Sequence, residues 1–156
     1  MTTEQIILDH RAPSWRLVLP LPPSVNSYWT RGTTYQGRRS MRRSDRAVQF
    51  MHRAMVAIGN QRAPRIGTAP VVVEIELHRT PKGGDLDNYN KGLLDAITHA
   101  GVWDDDDQVL DLRVVSRGST QRGAAIVSIR LATEKEIEHA TTTAPEVCQL
   151  ADWGLV

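Results

Sequence analysis

The chain has 156 residues, 40% hydrophobic and 24% charged, a composition that fits one soluble globular domain with a real core. No apolar run approaches the ~20 residues of a membrane span, the acidic start "MTTEQIILDH" is unlike a signal peptide, and a single cysteine, Cys148, excludes an internal disulfide and fits a reducing cytoplasm. The formal net charge of +1 hides two halves of opposite sign: residues 1–83 hold 13 Lys/Arg against 5 Asp/Glu, and residues 84–156 hold 6 against 13.

Residues 1–13 read as a flexible leader. "WRLVLP" (Trp15 to Pro20) predicts a first strand, stopped by Pro20, Pro22 and Pro23. "PPSVNSYWT" reads as a turn-rich loop. The basic segment "RGTTYQGRRSMRRSDR" sets Arg31, Arg38, Arg39, Arg42, Arg43 and Arg46 against one acid, Asp45. Arginines with Tyr35 and glycines nearby suit a mobile phosphate-gripping arm, and equally a solvated basic loop. Ser44 is a predicted N-cap for a helix whose apolar positions are Val48, Met51, Met55 and Ile58, with Phe50 also read as core and Gly59–Asn60 as the stop.

"PVVVEIELHRT" alternates, sending Val71, Val73, Ile75 and Leu77 to one face. "TPKGG" breaks this strand, and a helix is predicted from about Asn88 to Ala100, with Tyr89, Leu93, Ala96 and Ala100 on its buried stripe and Gly101 at its end. "QVLDLRVVSR" and "AAIVSIRLA" predict a strand pair. "TEKEIEHA" carries a Thr133/Glu136 capping-box pattern and predicts a short last helix. The order β-α-β-α-β-β plus a C-terminal helix implies an α+β fold, a mixed sheet covered by helices. The domain limits are 14–132 for the folded unit and 133–156 for the C-terminal helix and tail.

Eight of the eleven aspartates fall between Gly83 and Asp111. Crowded carboxylates disfavour one another's ionisation, so either water solvates them or a cation holds some together. Asp85 and Asp87 stand at i and i+2 where strand gives way to helix, a spacing that in extended backbone points both carboxylates the same way. Such hard oxygens suit Mg²⁺ or Mn²⁺. The structural alternative is that Asp87 caps the helix and Asp85 makes an Asx turn. An EF-hand register fails: from Asp85, Asn90 stands where Gly is needed and Ala96 where Glu is needed. The helix spans about 20 Å at ~1.5 Å per residue, and an extended "GVWDDD" also spans about 20 Å at ~3.3 Å per residue. The chain can therefore return beside its own helix and bring a third carboxylate back, with Val102 and Trp103 packing on the way. A partner subunit could supply that carboxylate instead. Lys91, one turn after Asp87, is placed either for an i,i+4 ion pair or to hold a phosphate. The five histidines show no short metal-ligand spacing, and no G-x-S-x-G is present.

"PPSVNSYW" followed by "GDLDNYNKGLLDAITHAGVWDDDDQVLDLRVV" resembles the RusA-type Holliday junction resolvases. These share a PPS-x-N loop, a D-x-D-N-x-x-K helix start, a D-A-h-x-x-A-G-x-W continuation and a D-D-x-Q-V turn. The likeness runs from about Trp15 to Leu131. It implies a Mg²⁺-dependent endonuclease (Mn²⁺ substituting) that makes paired nicks in four-way DNA junctions as a homodimer, without a membrane. It further implies Asp85, Asp87, Asp106 and Lys91 as the acidic-site residues, Asp106 being fixed by Gln108 and Val109. DNA contacts are expected at Asn26, Arg38, Arg39, Arg42 and Arg43. "TPKGG" ahead of Asp85 is less basic than the family pattern. The competing readings are a non-catalytic DNA-binding module with a solvated acidic loop and a less selective metal-dependent nuclease on branched DNA. For a dimer, Leu94 and Ile97, off the buried stripe, are the expected interface residues.

Overall fold

The computed structural model describes residues 14–33, 36–81 and 83–149, with side chains to residue 142. The leader, Tyr35, Lys82 and the last residues of the tail lie outside these. In chain order the elements are β1 (Ser14–Pro20), a one-turn helix α1 (Val25–Tyr28), β2 (Trp29–Thr33), β3 (Arg39–Arg43), α2 (Asp45–Asn60), β4 (Val71–Arg79), α3 (Asn90–His99), β5 (Val109–Ser119), β6 (Ala124–Leu131) and α4 (Glu134–Gln149). Single 3-10 turns precede α3 (Leu86–Tyr89) and β5 (Asp106–Gln108). This is the predicted α+β order, with a hairpin and a short helix added where the sequence suggests only a loop.

The main sheet has the order β1-β6-β4-β5, with β6 antiparallel to both neighbours and β4 parallel to β5. The alternation of β4 is realised: Val71, Val73, Ile75 and Leu77 are all 0% exposed. Against this face pack α2 and α3, joined by Leu17, Leu19, Val127 and Ile129 from the flanking strands. Parallel pairing of β4 with β5 requires a crossover, and α3 with its return segment is that crossover. Among the described residues no helix is long and apolar enough to cross a membrane.

Two helical expectations need correction. Ser44 caps α2 as predicted, accepting from the Ala47 N–H at 3.2 Å, but the buried stripe is Ala47, Phe50, Met51, Ala54 and Ile58, leaving Val48 and Met55 exposed. The two alanines let the helix approach the sheet closely, which turns the larger Val48 and Met55 outward. The helix also runs through Gly59 and Asn60. It stops where Arg62 takes a positive φ of 51° and the Gln61 amide bonds the edge strand at Val18 N and O (2.8 and 2.9 Å).

The second correction concerns α3. Leu94 is 9% exposed and Ile97 0%, so neither is spare for a subunit interface. The reason is the return of the chain. Gly101, at φ +71°, ends the helix, with Gly101 N–H donating to Thr98 O (2.9 Å) and Val102 N–H to Ile97 O (3.3 Å). The reversed chain lays Val102 and Trp103, each 1% exposed, back into the core, and Trp103 Nε1 donates to Thr98 Oγ1 at 2.7 Å. Helix α3 is therefore covered by the sheet, by α2 and by its own continuation.

Candidate active site

The two acidic turns are built differently. Ahead of the first, Arg79 Nη1 donates to Gly84 O (2.8 Å) and Gly84 N–H donates to the buried Tyr89 hydroxyl (2.7 Å). These bonds set the backbone at Gly84, and Asp85 follows in extended conformation as N-cap of the 3-10 turn. Its side chain makes no capping bond. Asp87, inside the turn, caps nothing either, because the N-cap position of α3 falls to Tyr89. Both carboxylates are exposed. The structural alternative for this pair, a capping aspartate beside an Asx turn, is thus not how the turn is held. The PPS loop lies against the same helix start: a Cβ on Gly92 would sit 3.0 Å from Pro22 Cβ and 3.2 Å from the Tyr28 ring, so only glycine allows this approach without a shift.

In the second turn the run Asp104 to Asp107 divides its labour. Asp105 is the N-cap and accepts from Asp107 N–H at 3.4 Å. Gln108 Oε1 accepts from the Asp104 and Asp105 N–H groups (2.9 and 2.8 Å), while its Nε2 donates to Gly67 O and Ala69 O (2.7 and 2.9 Å). With Asp105 and Gln108 so engaged, Asp106 faces α3: its Oδ2 lies 3.9 Å from Lys91 Nζ. The return beside the helix is therefore present, and it brings Asp106 to the lysine.

Lys91 does not pair back to Asp87. Its ammonium donates to Asp95 Oδ1 at 3.2 Å, one turn forward. A 3-10 turn around Asp87 does not keep α-helical i,i+4 register with Lys91, whereas Asp95 and Lys91 share the regular helix. Asp95 is a site residue that the motif reading passes over, although its i,i+4 spacing from Lys91 is plain in the sequence. The Asp95 bond and charge, followed by Asp106, raise the Lys91 pKa and hold it as a cation. Burial, then the hydrogen bond with Asp105, raises the Asp106 pKa in spite of the lysine. Close by, the Tyr28 hydroxyl is buried without a hydrogen-bond partner among the described residues, as is Asn90 Oδ1; burial raises the tyrosine's pKa, and Arg43, Asp95 and Lys91 all act on it electrostatically.

The arm expected to be mobile is a β-hairpin, pairing Trp29 with Arg43, Arg31 with Met41 and Thr33 with Arg39. Arg38, Arg39 and Arg42 on it are exposed, as is Asn26 on α1. Arg42 lies 3.7 Å from Asp45. Arg43 Nη2 is 3.5 Å from His99 Nε2, whose other ring nitrogen, Nδ1, bonds Asp95 O at 2.7 Å. The hairpin is thus tied to the face of α3 that carries Lys91 and Asp95. Among the described residues no three of His, Cys, Asp and Glu converge closely enough to hold a metal ion.

A family profile described as "Endodeoxyribonuclease RusA" matches residues 20–130. The chain belongs to the RusA family. The crossover junction endodeoxyribonuclease RusA of Escherichia coli (strain K12) is 35% identical to it over 119 residues, covering 74% of this chain and 93% of the relative. The protein of that name from Enterobacteria phage 82 is 34% identical over 119 residues, with the same coverage. The RusA match spans the PPS loop, the hairpin, both acidic turns and nearly all of the main sheet beyond β1.

Proposed function

We propose that this chain is an endodeoxyribonuclease that resolves four-way DNA junctions by paired nicks, using Mg²⁺ and acting as a cytoplasmic homodimer. The observation that carries the reading is the Lys91 ammonium held at 3.2 Å by Asp95 and 3.9 Å from Asp106, in a chain whose Asp85 has no capping duty. Membership of a family whose relatives are named as crossover junction endonucleases supplies the substrate class.

The donor chemistry fits a hard divalent cation: Asp85, Asp87 and Asp106 would offer carboxylate oxygens, with Mn²⁺ able to substitute. Bound there, a divalent ion supplies activation of water and neutralisation of phosphate charge. Among the described residues these groups do not form a closed ligand set. A twofold dimer presents the same cluster twice, as paired nicking of a symmetric junction requires.

The chain's own groups have separate tasks. Lys91, kept protonated by Asp95, places positive charge where the scissile phosphate oxygen must lie. Asn26 and the hairpin arginines Arg38, Arg39, Arg42 and Arg43 grip neighbouring phosphates and fix the register of the junction. Incubation with a labelled four-way junction, with and without Mg²⁺, tests the whole reading. Symmetric nicks that require the metal and are absent from linear duplex are expected. Binding without cleavage favours a DNA-binding module, and equal cleavage of duplex favours a less selective nuclease.

A further inference from the structure

The arginines of this protein fall into two populations. Several are paired with carboxylates of the chain, among them Arg16 and Arg117, which share Glu76, Arg113 with Glu74, and Arg130 with Glu136. Arg46, Arg53 and Arg122 make no ion pair or hydrogen bond among the described residues, and all three are exposed. They come from distant parts of the sequence, two from α2 and one from the turn between β5 and β6, yet they line one groove of ≈ 540 Å³. The PPS loop with Thr80, Gly83 and Gly84 forms its other walls, and among the described residues no carboxylate lines it.

From this groove we infer a second phosphate-binding track, separate from the hairpin, that seats the sugar–phosphate backbone of one DNA strand and leads it to Asp85. Three unpaired guanidiniums around one concavity repel each other, and a polyanion lying among them relieves that repulsion. Arg46 and Arg53 are seven residues, or two turns, apart on one face of α2, about 10 Å along the axis at ~1.5 Å per residue. That separation exceeds the ~3.4 Å axial rise per nucleotide of one strand, so the two guanidiniums face different phosphates. Guanidiniums so placed can each take a phosphate bidentately. The groove is lined in part by Gly84, whose next residue is Asp85. The short "TPKGG" loop therefore needs little charge of its own, because α2 and the β5–β6 turn bring positive charge to that edge.

This inference rests on the junction-nuclease reading, and its test separates the two. Binding of a labelled four-way junction is followed by fluorescence anisotropy in EDTA, so cleavage plays no part. Arg46→Gln/Arg53→Gln is compared with Arg62→Gln/Arg65→Gln, a control of equal charge at the opposite end of α2; the long side-chain stems are largely kept, and melting curves confirm folding. The groove double variant is expected to bind about 10-fold more weakly near 0.15 M salt. Its slope of log K against log salt should be shallower by about 1.8 units, at ~0.9 for each duplex phosphate no longer neutralised, and Arg122→Gln should add a further ~0.9. The control should stay within about twofold of wild type. If groove and control variants weaken binding equally, the charge acts at large and the track does not exist. If the wild-type chain has no affinity for the junction, the nuclease reading falls and the track with it.

Discussion

Two turns of this protein begin with an aspartate at the N-cap of a 3-10 turn, and they use it in opposite ways. Asp105 spends its carboxylate on the backbone: it accepts from Asp107 N–H while Gln108 closes the capping box and anchors the turn to Gly67 and Ala69. Asp85 makes no such bond, because the chain beside it is held by Arg79 on Gly84 O and by the Tyr89 hydroxyl on Gly84 N–H. The same residue type at the same local position is structural in one turn and available to a ligand in the other. What separates them is whether neighbouring side chains already satisfy the backbone.

The largest expected effect follows directly. Asp85→Asn, Asp87→Asn and Asp106→Asn should each lower junction cleavage by about 100-fold or more, ~2.7 kcal/mol of barrier, with thermal stability near wild type and junction binding equal or tighter. Asp104→Asn should stay within about tenfold. Calorimetry beside a cleavage assay checks both halves. A large loss of stability in Asp85→Asn would show that this carboxylate is structural after all and would erase the contrast with Asp105.

A smaller catalytic effect is expected from Asp95, which touches Lys91 and acts through it. Asp95→Asn should slow cleavage about tenfold, ~1.4 kcal/mol, while Lys91→Met should slow it more. The Lys91 side chain is 65% exposed and that of Asp95 17%, so melting curves accompany the cleavage assay and separate any loss of stability from the catalytic loss. The double variant decides: if Asp95 works by positioning the ammonium, adding Asp95→Asn to Lys91→Met costs nothing further. Additive losses would give Asp95 a separate role.

Much of this arrangement was legible in the sequence because periodicity and spacing carried it. Strand β4 alternates and Gly101 marks the reversal after α3, whereas the choice of Asp106 in a run of four rests on the family resemblance and not on spacing. Three features were not legible, each for a local reason. The β2–β3 hairpin is made largely of Thr, Gly, Ser and Arg, so it lacks the apolar alternation that announces a strand; cross-strand pairing supplies what the pattern omits. The inner stripe of α2 is set by Ala47 and Ala54, whose small size brings the helix close to the sheet while the more conspicuous Val48 and Met55 face out. Leu94 and Ile97 look spare only if α3 has one covered side, and the return of Val102 and Trp103 gives it a second. Polar substitution at Leu94 is accordingly expected to unfold the chain and not to split a dimer.

The contrast between the turns also predicts stability. Gln108 is half-buried and its amide makes four hydrogen bonds to backbone groups, so Gln108→Ala should cost about 2 kcal/mol, at ~1–3 kcal/mol for stranded polar groups. Asp105→Ala removes one capping acceptor and should cost about 1 kcal/mol. Urea denaturation measures both. Equal costs would mean that the cap and not the glutamine clamp fixes the acidic run.

The smallest effect comes from a third helix start, where a carboxylate is again used structurally. Glu136 Oε2 accepts from Thr133 N–H (2.8 Å) and its carboxylate pairs with Arg130, while Glu136 N–H donates to Thr133 Oγ1 at 3.4 Å, the capping box the sequence predicts. The Arg130 hydrogen bond, then the Thr133 backbone bond, lowers the Glu136 pKa from 4.5 to about 2. A depressed carboxylate pKa contributes stability above the unfolded value, and that contribution fades as pH falls from 4.5 toward 2. Glu136→Gln should therefore be less stable than wild type at neutral pH, with the gap closing across that acid window. The gap stays modest because the side chain is 35% exposed and water screens the pair. Melting curves taken from about pH 7 to about pH 2 on both proteins isolate it, since every other titrating group is common to the two. A gap that stays constant over the whole range would show that Glu136 stabilises the start of α4 through its hydrogen bonds alone, without its charge.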